Sequence, residues 1–229
     1  MNVIEILEFE HQMILDVLGV AQARLPAITG NVPVSKEPGI ADFCAKFISR
    51  CHHAKEFEIF VKLLQKDRAY VVEPITLFRA EHSQLCQLTS SLAVAWKLMA
   101  AGQSDSGRIM TEYFNNYADR MRDHCQKESR FYQVVSDVLD DADQLALKEA
   151  FDRLDCEMLG TEGHDRYCRW SYEFARADPR ATPAFNPIAA QTIPSVPHGD
   201  YENSADRSGA RACSASHATA TAPESSESP

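Results

Sequence analysis

The chain lacks an excess of positive charge, a CxxC pair and any long apolar run. Against 23 Lys and Arg stand 33 Asp and Glu, a formal net charge of −10. Nucleic-acid binders draw affinity from a basic face set against phosphates, and anionic membrane surfaces attract basic segments in the same way. Neither partner fits this balance. No stretch approaches the ~18 apolar residues that read as a transmembrane helix. The opening residues MNVIEILEFEHQ carry Glu5, Glu8 and Glu10 where an export signal would be basic, so the expected compartment is the cytoplasm. The seven cysteines (44, 51, 86, 125, 156, 168 and 213) are odd in number and form no CxxC. They read as thiols in a reducing compartment, mostly as small buried apolar groups. At 229 residues and 45% apolar, the chain has enough mass for a core without disulfides.

Proline is also scarce where structure is expected. Residues 1–177 contain only Pro26, Pro33, Pro38 and Pro74, whereas residues 178–229 hold the other seven of eleven. That C-terminal stretch is otherwise mostly Ala, Ser and Thr, without helical or alternating period, and has too little apolar mass to offset the entropy of ordering it. It reads as a disordered tail. Residues 1–177 keep 27 of the 33 acidic and 20 of the 23 basic residues.

Within residues 1–177 apolar side chains recur at steps of three and four. A first segment, roughly 2–25, shows Ile4, Leu7, His11, Ile14 and Leu18 on one face. A second, roughly 37–66, shows Ile48, His52, Glu56, Ile59 and Leu63. A third, roughly 73–101, starts at Pro74 and shows Ile75, Phe78, His82, Leu85, Leu92 and Trp96. A fourth, roughly 105–136, shows Tyr113, Tyr117, Met121, His124, Glu128, Phe131 and Val135. Residues 26–38 read as a loop. A weaker fifth segment, 141–175, breaks at Thr161-Glu162-Gly163 and predicts one helix or a helix pair. No strand signal and no internal repeat of 20–50 residues emerges. The expected fold is all-α: an antiparallel four-helix bundle with an additional C-terminal helix and a disordered tail.

Each of the four stripes carries one histidine in the middle of its apolar face. A single buried His is ordinarily a hydrogen-bonded core residue; one on each of four helices points to a shared task. His52 and Glu56 are four residues apart, as are His124 and Glu128, so each pair projects from one helix face within about 40°. Two buried ionised glutamates need a cation or a proton. Four imidazoles and two carboxylates converging in a bundle suit a pair of first-row metal ions, and di-iron bundles use the related Glu-x-x-His spacing. Glu10 and Glu81, each just before a stripe histidine, lie about 100° round the helix and are placed to orient ligands on neighbouring helices.

The stretches EFEHQMILDVL, CHHAKEFEIFVKLL, FRAEHSQLCQL and DHCQKESRFYQVV resemble the hemerythrin-like (HHE cation-binding) family, in the family's order and over roughly residues 1–170. The resemblance implies that His11, His52, His82 and His124 are terminal metal ligands. It further implies that Glu56 and Glu128 bridge two iron ions (Fe2+/Fe3+) joined by an oxo or hydroxo bridge, with an open coordination position. The chain departs from oxygen-carrying hemerythrins, which have a second His four residues after the helix-three His, where this chain has Cys86. Those carriers use HxxxxD on the fourth helix, where this chain has HxxxE. The pattern is closer to non-carrier branches such as iron–sulfur cluster repair proteins and iron or oxygen sensors.

A fifth histidine ligand stays open between His53, His164 and none. His53 is expected in an outer sphere or at the surface, and His164 as a capping or surface residue after Gly163. Cys86 is read as a small core residue before a thiolate ligand, and Cys51 and Cys125 as facing away from the metals. Tyr113 and Tyr117 are read as packing. His198 and His217 fall in the tail without a role.

The expected function is a non-haem di-iron protein binding a small diatomic ligand (O2 or NO) or peroxide, for redox or iron sensing, stress response or iron-centre repair. The alternatives are a peroxide-degrading, catalase-like di-iron enzyme and a metal-free helical interaction module. Zinc is possible in the same cage, because affinity order alone favours it over iron. The sequence names no protein redox partner.

Overall fold

A computed structural model describes residues 1–28, 39–103 and 105–176, and their regular structure is entirely helical. Helix α1 is Val3–Ile28. Helix α2 spans residues 40–65 without interruption but changes character: Ile40–Asp42 is α-helical, Phe43–His52 is π-helical and His53–Gln65 is α-helical again. Helix α3 is Ala69–Ala100, α4 is Ser106–Val135, α5 is Asp141–Leu159 and α6 is Gly163–Arg176. None of them is long and apolar enough to cross a membrane. The expected tail at 178–229, with His198 and His217, lies outside the described residues, as do residues 29–38 of the expected loop.

Two boundaries differ from the sequence expectation. Helix α1 continues through Pro26 to Ile28. Helix α3 begins at Ala69, so Pro74 lies inside it and does not start it. Pro74 is the sixth residue of this helix, past its first turn, so the Tyr70 carbonyl loses the N–H donor that any other residue at 74 would supply. The fifth segment takes the helix-pair form of the two expected, with its break at the expected residues. Asp140 caps α5, its carboxylate accepting from the Asp143 N–H at 3.0 Å while the Asp143 carboxylate accepts from the Asp140 N–H at 3.2 Å. Gly160 ends α5 at a φ of 80°, a conformation open to glycine. At Gly163 any Cβ would meet the Leu159 Cβ at 2.5 Å, so the α5–α6 corner depends on both glycines.

Helix α4 packs along α3 and α1, and α2 packs on α3; α5 lies against α2, and α6 against α1 and α2. The buried apolar residues separate into two clusters. One gathers Ile14, Leu18, Ile48, Leu85 and Met121; the other gathers Leu7, Ile59, Phe78 and Phe131. On every one of the four long helices the stripe histidine falls between a member of one cluster and a member of the other. The polar layer therefore divides the core. The order of the two clusters along the chain reverses from each long helix to the next.

On the fourth stripe one expected core position fails. Tyr113 is 44% exposed, while Met110, Phe114 and Tyr117 are buried. Stepping back by three and four from Glu128 and His124 reaches 121, 117, 114 and 110. Residue 113 is rotated about 40° further, beyond the edge of the apolar stripe.

Candidate metal centre

The stripe residues do converge. His11 on α1, His52 and Glu56 on α2 and His124 and Glu128 on α4 are buried, and the His82 side chain on α3 is only 12% exposed. Glu56 sits at the centre. Its Oε1 is 3.1 Å from His11 Nε2 and 3.0 Å from His52 Nε2, and its Oε2 is 3.1 Å from His82 Nε2. Glu128 faces His11 at 3.4 Å, His124 at 3.3 Å and His82 at 3.5 Å. All six expected site residues thus share one polar layer.

His53 joins them, contrary to the expectation of an outer or surface place. It is buried, and its ring stacks on His82 with centroids 4.1 Å apart. The cause is local. The His53 N–H bonds to the Ile48 carbonyl, five residues back, so the chain enters this position from a π turn. A π turn fits more residues than an α turn, so consecutive side chains diverge by less than the α-helical ~100°. At the junction both His52 and His53 turn inward. The adjacent histidines were visible in the sequence, but no sequence signal marks the π segment.

Donor atoms form two groups that share Glu56. His53, Glu56, His82 and His124 offer atoms all within 4.8 Å of one another, and so do His11, His52 and Glu56. His164, the other candidate fifth ligand, belongs to neither; its Nε2 lies 3.1 Å from Glu10 Oε1. Cys51 turns its thiol to Asp155 at 3.1 Å.

Many of these atoms are buried yet lack a hydrogen bond: both oxygens of Glu128, Oε2 of Glu56, both ring nitrogens of His53, Nε2 of His52 and Nδ1 of His11. The N···O distances to the carboxylates are short, but at these atoms the alignment does not make a hydrogen bond. An unsatisfied buried polar group costs about 1–3 kcal/mol, so such a concentration is unfavourable unless a cation completes it. Neutral imidazoles with carboxylates able to bridge form a donor set suited to iron or zinc.

The electrostatics follow the same layout. Burial pushes Glu56 up, but His52 and His82 more than offset it and hold the carboxyl well below its usual range. Burial and Glu56 both raise Glu128, and His124 and His11 bring it net below. Burial disfavours charge on His82 and His124, yet the facing glutamates lift them to about 9 and about 10. His53 goes the other way: burial and then the neighbouring His82 keep it well below its usual value, neutral and with a free lone pair.

Around this layer lies a second set of contacts. Glu10 accepts from His52 Nδ1 at 2.8 Å, and Glu81 accepts from His124 Nδ1 at 2.9 Å. The glutamate before each stripe histidine of α1 and α3 therefore orients a histidine on another helix, as their spacing suggested. The other oxygen of each accepts from a lysine, Lys55 at 2.6 Å and Lys127 at 2.8 Å. The sequence carries a signal for these lysines, since both motifs read H-x-x-K-E, at 52–56 and 124–128.

A sequence model of the hemerythrin HHE cation binding domain matches residues 2–135, which takes in α1 to α4 and every residue of the two donor groups. No curated protein and no solved structure matches the chain. With more than half its length covered and the motif residues gathered in one buried layer, the chain belongs to the hemerythrin HHE cation-binding domain family.

Proposed function

We propose that this chain is a non-haem di-iron protein. In this reading α1 to α4 form an antiparallel four-helix bundle, and its site takes O2, NO or peroxide for redox or iron sensing, stress response or iron-centre repair. The observation that carries it is the pair of fully buried glutamates, Glu56 and Glu128, faced by five imidazoles and left with unpartnered oxygens. His53, His82 and His124 would hold one ion and His11 and His52 the other, with Glu56 and Glu128 between them. Two iron ions there supply one-electron redox chemistry toward small oxidants.

The chain's own residues set the conditions. Glu10 and Glu81 accept from His52 and His124 at Nδ1 and so turn each Nε2 lone pair inward, fixing tautomer and ring direction. The unequal division, three histidines against two, leaves the His11–His52 half poorer in protein donors and is the half expected to admit a small ligand. The two apolar clusters above and below keep bulk water from the layer.

The test is metal analysis with an optical spectrum, before and after O2 or peroxide, on protein purified aerobically. About two irons per chain and a spectrum that responds to the oxidant are expected. Less than about one iron per chain overturns the di-iron reading, and zinc in its place moves the site to non-redox chemistry. Sustained O2 release from peroxide favours the catalase-like enzyme over a sensor.

A further inference from the structure

Glu10 is more elaborately held than its counterpart Glu81. Besides His52 and Lys55, it accepts from His164 Nε2 at 3.1 Å. His164 is the first residue after Gly163, so the glycine corner between α5 and α6 delivers it to α1. Lys55 also pairs with Asp155 on α5 at 2.7 Å, and its side chain is 1% exposed. On the other half Glu81 has only His124 and Lys127 among the described residues, and Lys127 turns to Asp123 of its own helix and is 38% exposed. Helices α5 and α6 lie outside the family match at 2–135. They reinforce one half of the centre and leave the other alone.

Glu10, Asp155 and His164 also place donor atoms within 4.8 Å of one another. That group is not a third metal site, because the Lys55 ammonium already stands between Glu10 and Asp155 at 2.6 and 2.7 Å. It supplies the positive charge that a metal would bring. What the arrangement accomplishes is orientation. A carboxylate with three donors on it has one favourable direction. Without His164, Glu10 Oε1 keeps only Lys55, which Asp155 pulls the other way, and the plane that receives the His52 Nδ1–H is no longer fixed.

We propose that His164, on a helix beyond the bundle, is a positioning residue for the His11–His52 half of the metal centre, acting through Glu10 on the His52 ring. The proposal rests on the di-iron reading for its consequence, but the orientation itself belongs to the metal-free chain. Loss of such an outer partner typically weakens metal affinity about 10–100-fold.

The experiment compares the full chain with H164A and H164Q, the latter keeping an N–H donor for Glu10. In the metal-free, 15N-labelled protein, the His52 Nδ1–H resonance is expected to shift or broaden in H164A. It should persist in H164Q, and that of His124 should stay in place in both. In anaerobic Fe2+ titration, one of the two equivalents is expected to weaken about 10-fold or more in H164A, with recovery in H164Q. An unchanged His52 resonance in H164A overturns the proposal. So does equal movement of the His52 and His124 resonances, which would indicate general loosening of the bundle. If the unmodified chain takes up no Fe2+, the di-iron reading fails, and the resonances still decide whether His164 positions His52.

Discussion

The imidazoles of His53 and His82 stack face to face, 4.1 Å between centroids and 7° between planes. One ring comes from α2 and the other from α3. His82 is charged by its facing glutamates while His53 is kept neutral by burial and by that charge. A neutral, buried histidine with both nitrogens unbonded is open to metal ligation, and we propose it as the fifth histidine ligand that the sequence left undecided.

His53 is therefore expected to complete the three-histidine half. An H53A variant should retain its fold and lose about one of two iron ions, whereas H53Q should recover little, since an amide is a poor replacement for imidazole at iron. Iron content by mass spectrometry checks it; full occupancy in H53A would return His53 to a packing role.

The two lysines of the H-x-x-K-E motifs should differ sharply. K55M leaves Glu10 buried without its cation and is expected to cost about 3–5 kcal/mol. K127M, at a partly exposed pair, should cost less than about 1 kcal/mol. Urea unfolding of the metal-free variants measures both, and similar losses at the two sites would contradict the difference in burial.

Iron uptake should release protons. In the metal-free chain His82 and His124 titrate at about 9 and about 10, against about 6.5 in an unfolded chain. Raised folded values mean that this stabilisation is complete below pH about 6.5 and is lost as the pH climbs through 9 to 10. A bound metal needs neutral imidazoles, so Fe2+ competes with those protons. Proton release on loading at pH 7, followed by pH-stat, and affinity that rises with pH toward 9 are the expected results. Uptake without proton release would show that the histidines are already neutral.

Tyr132 is fully buried, stacks on His11 and leaves its hydroxyl without a partner. Removing an unsatisfied hydroxyl is expected to stabilise the metal-free chain, by about 1 kcal/mol in Y132F. A lower melting temperature in Y132F would mean that the hydroxyl has a partner in solution.

Much of this was readable from local spacing. A helix of 3.6 residues per turn repeats its facing direction every three or four residues. The stripes through His11, His52, His82 and His124, the inward Glu56 and Glu128, and the sideways reach of Glu10 and Glu81 follow from position alone. The break at Gly163 was legible for the same reason, since glycine marks the corner directly.

Tertiary structure decided the rest. His53 turns inward because α2 arrives through a π turn, which the packed helices select and which no residue pattern announces. Lys55 and Lys127 occupy the same place in the same five-residue motif, yet one is buried and the other is not. That difference comes from α5 and α6, which cover α2 and bring Asp155 and His164 from a hundred or more residues away. Periodicity is a property of neighbours along a helix; burial, and the chemistry that burial imposes on a charge, is a property of whatever packs on top.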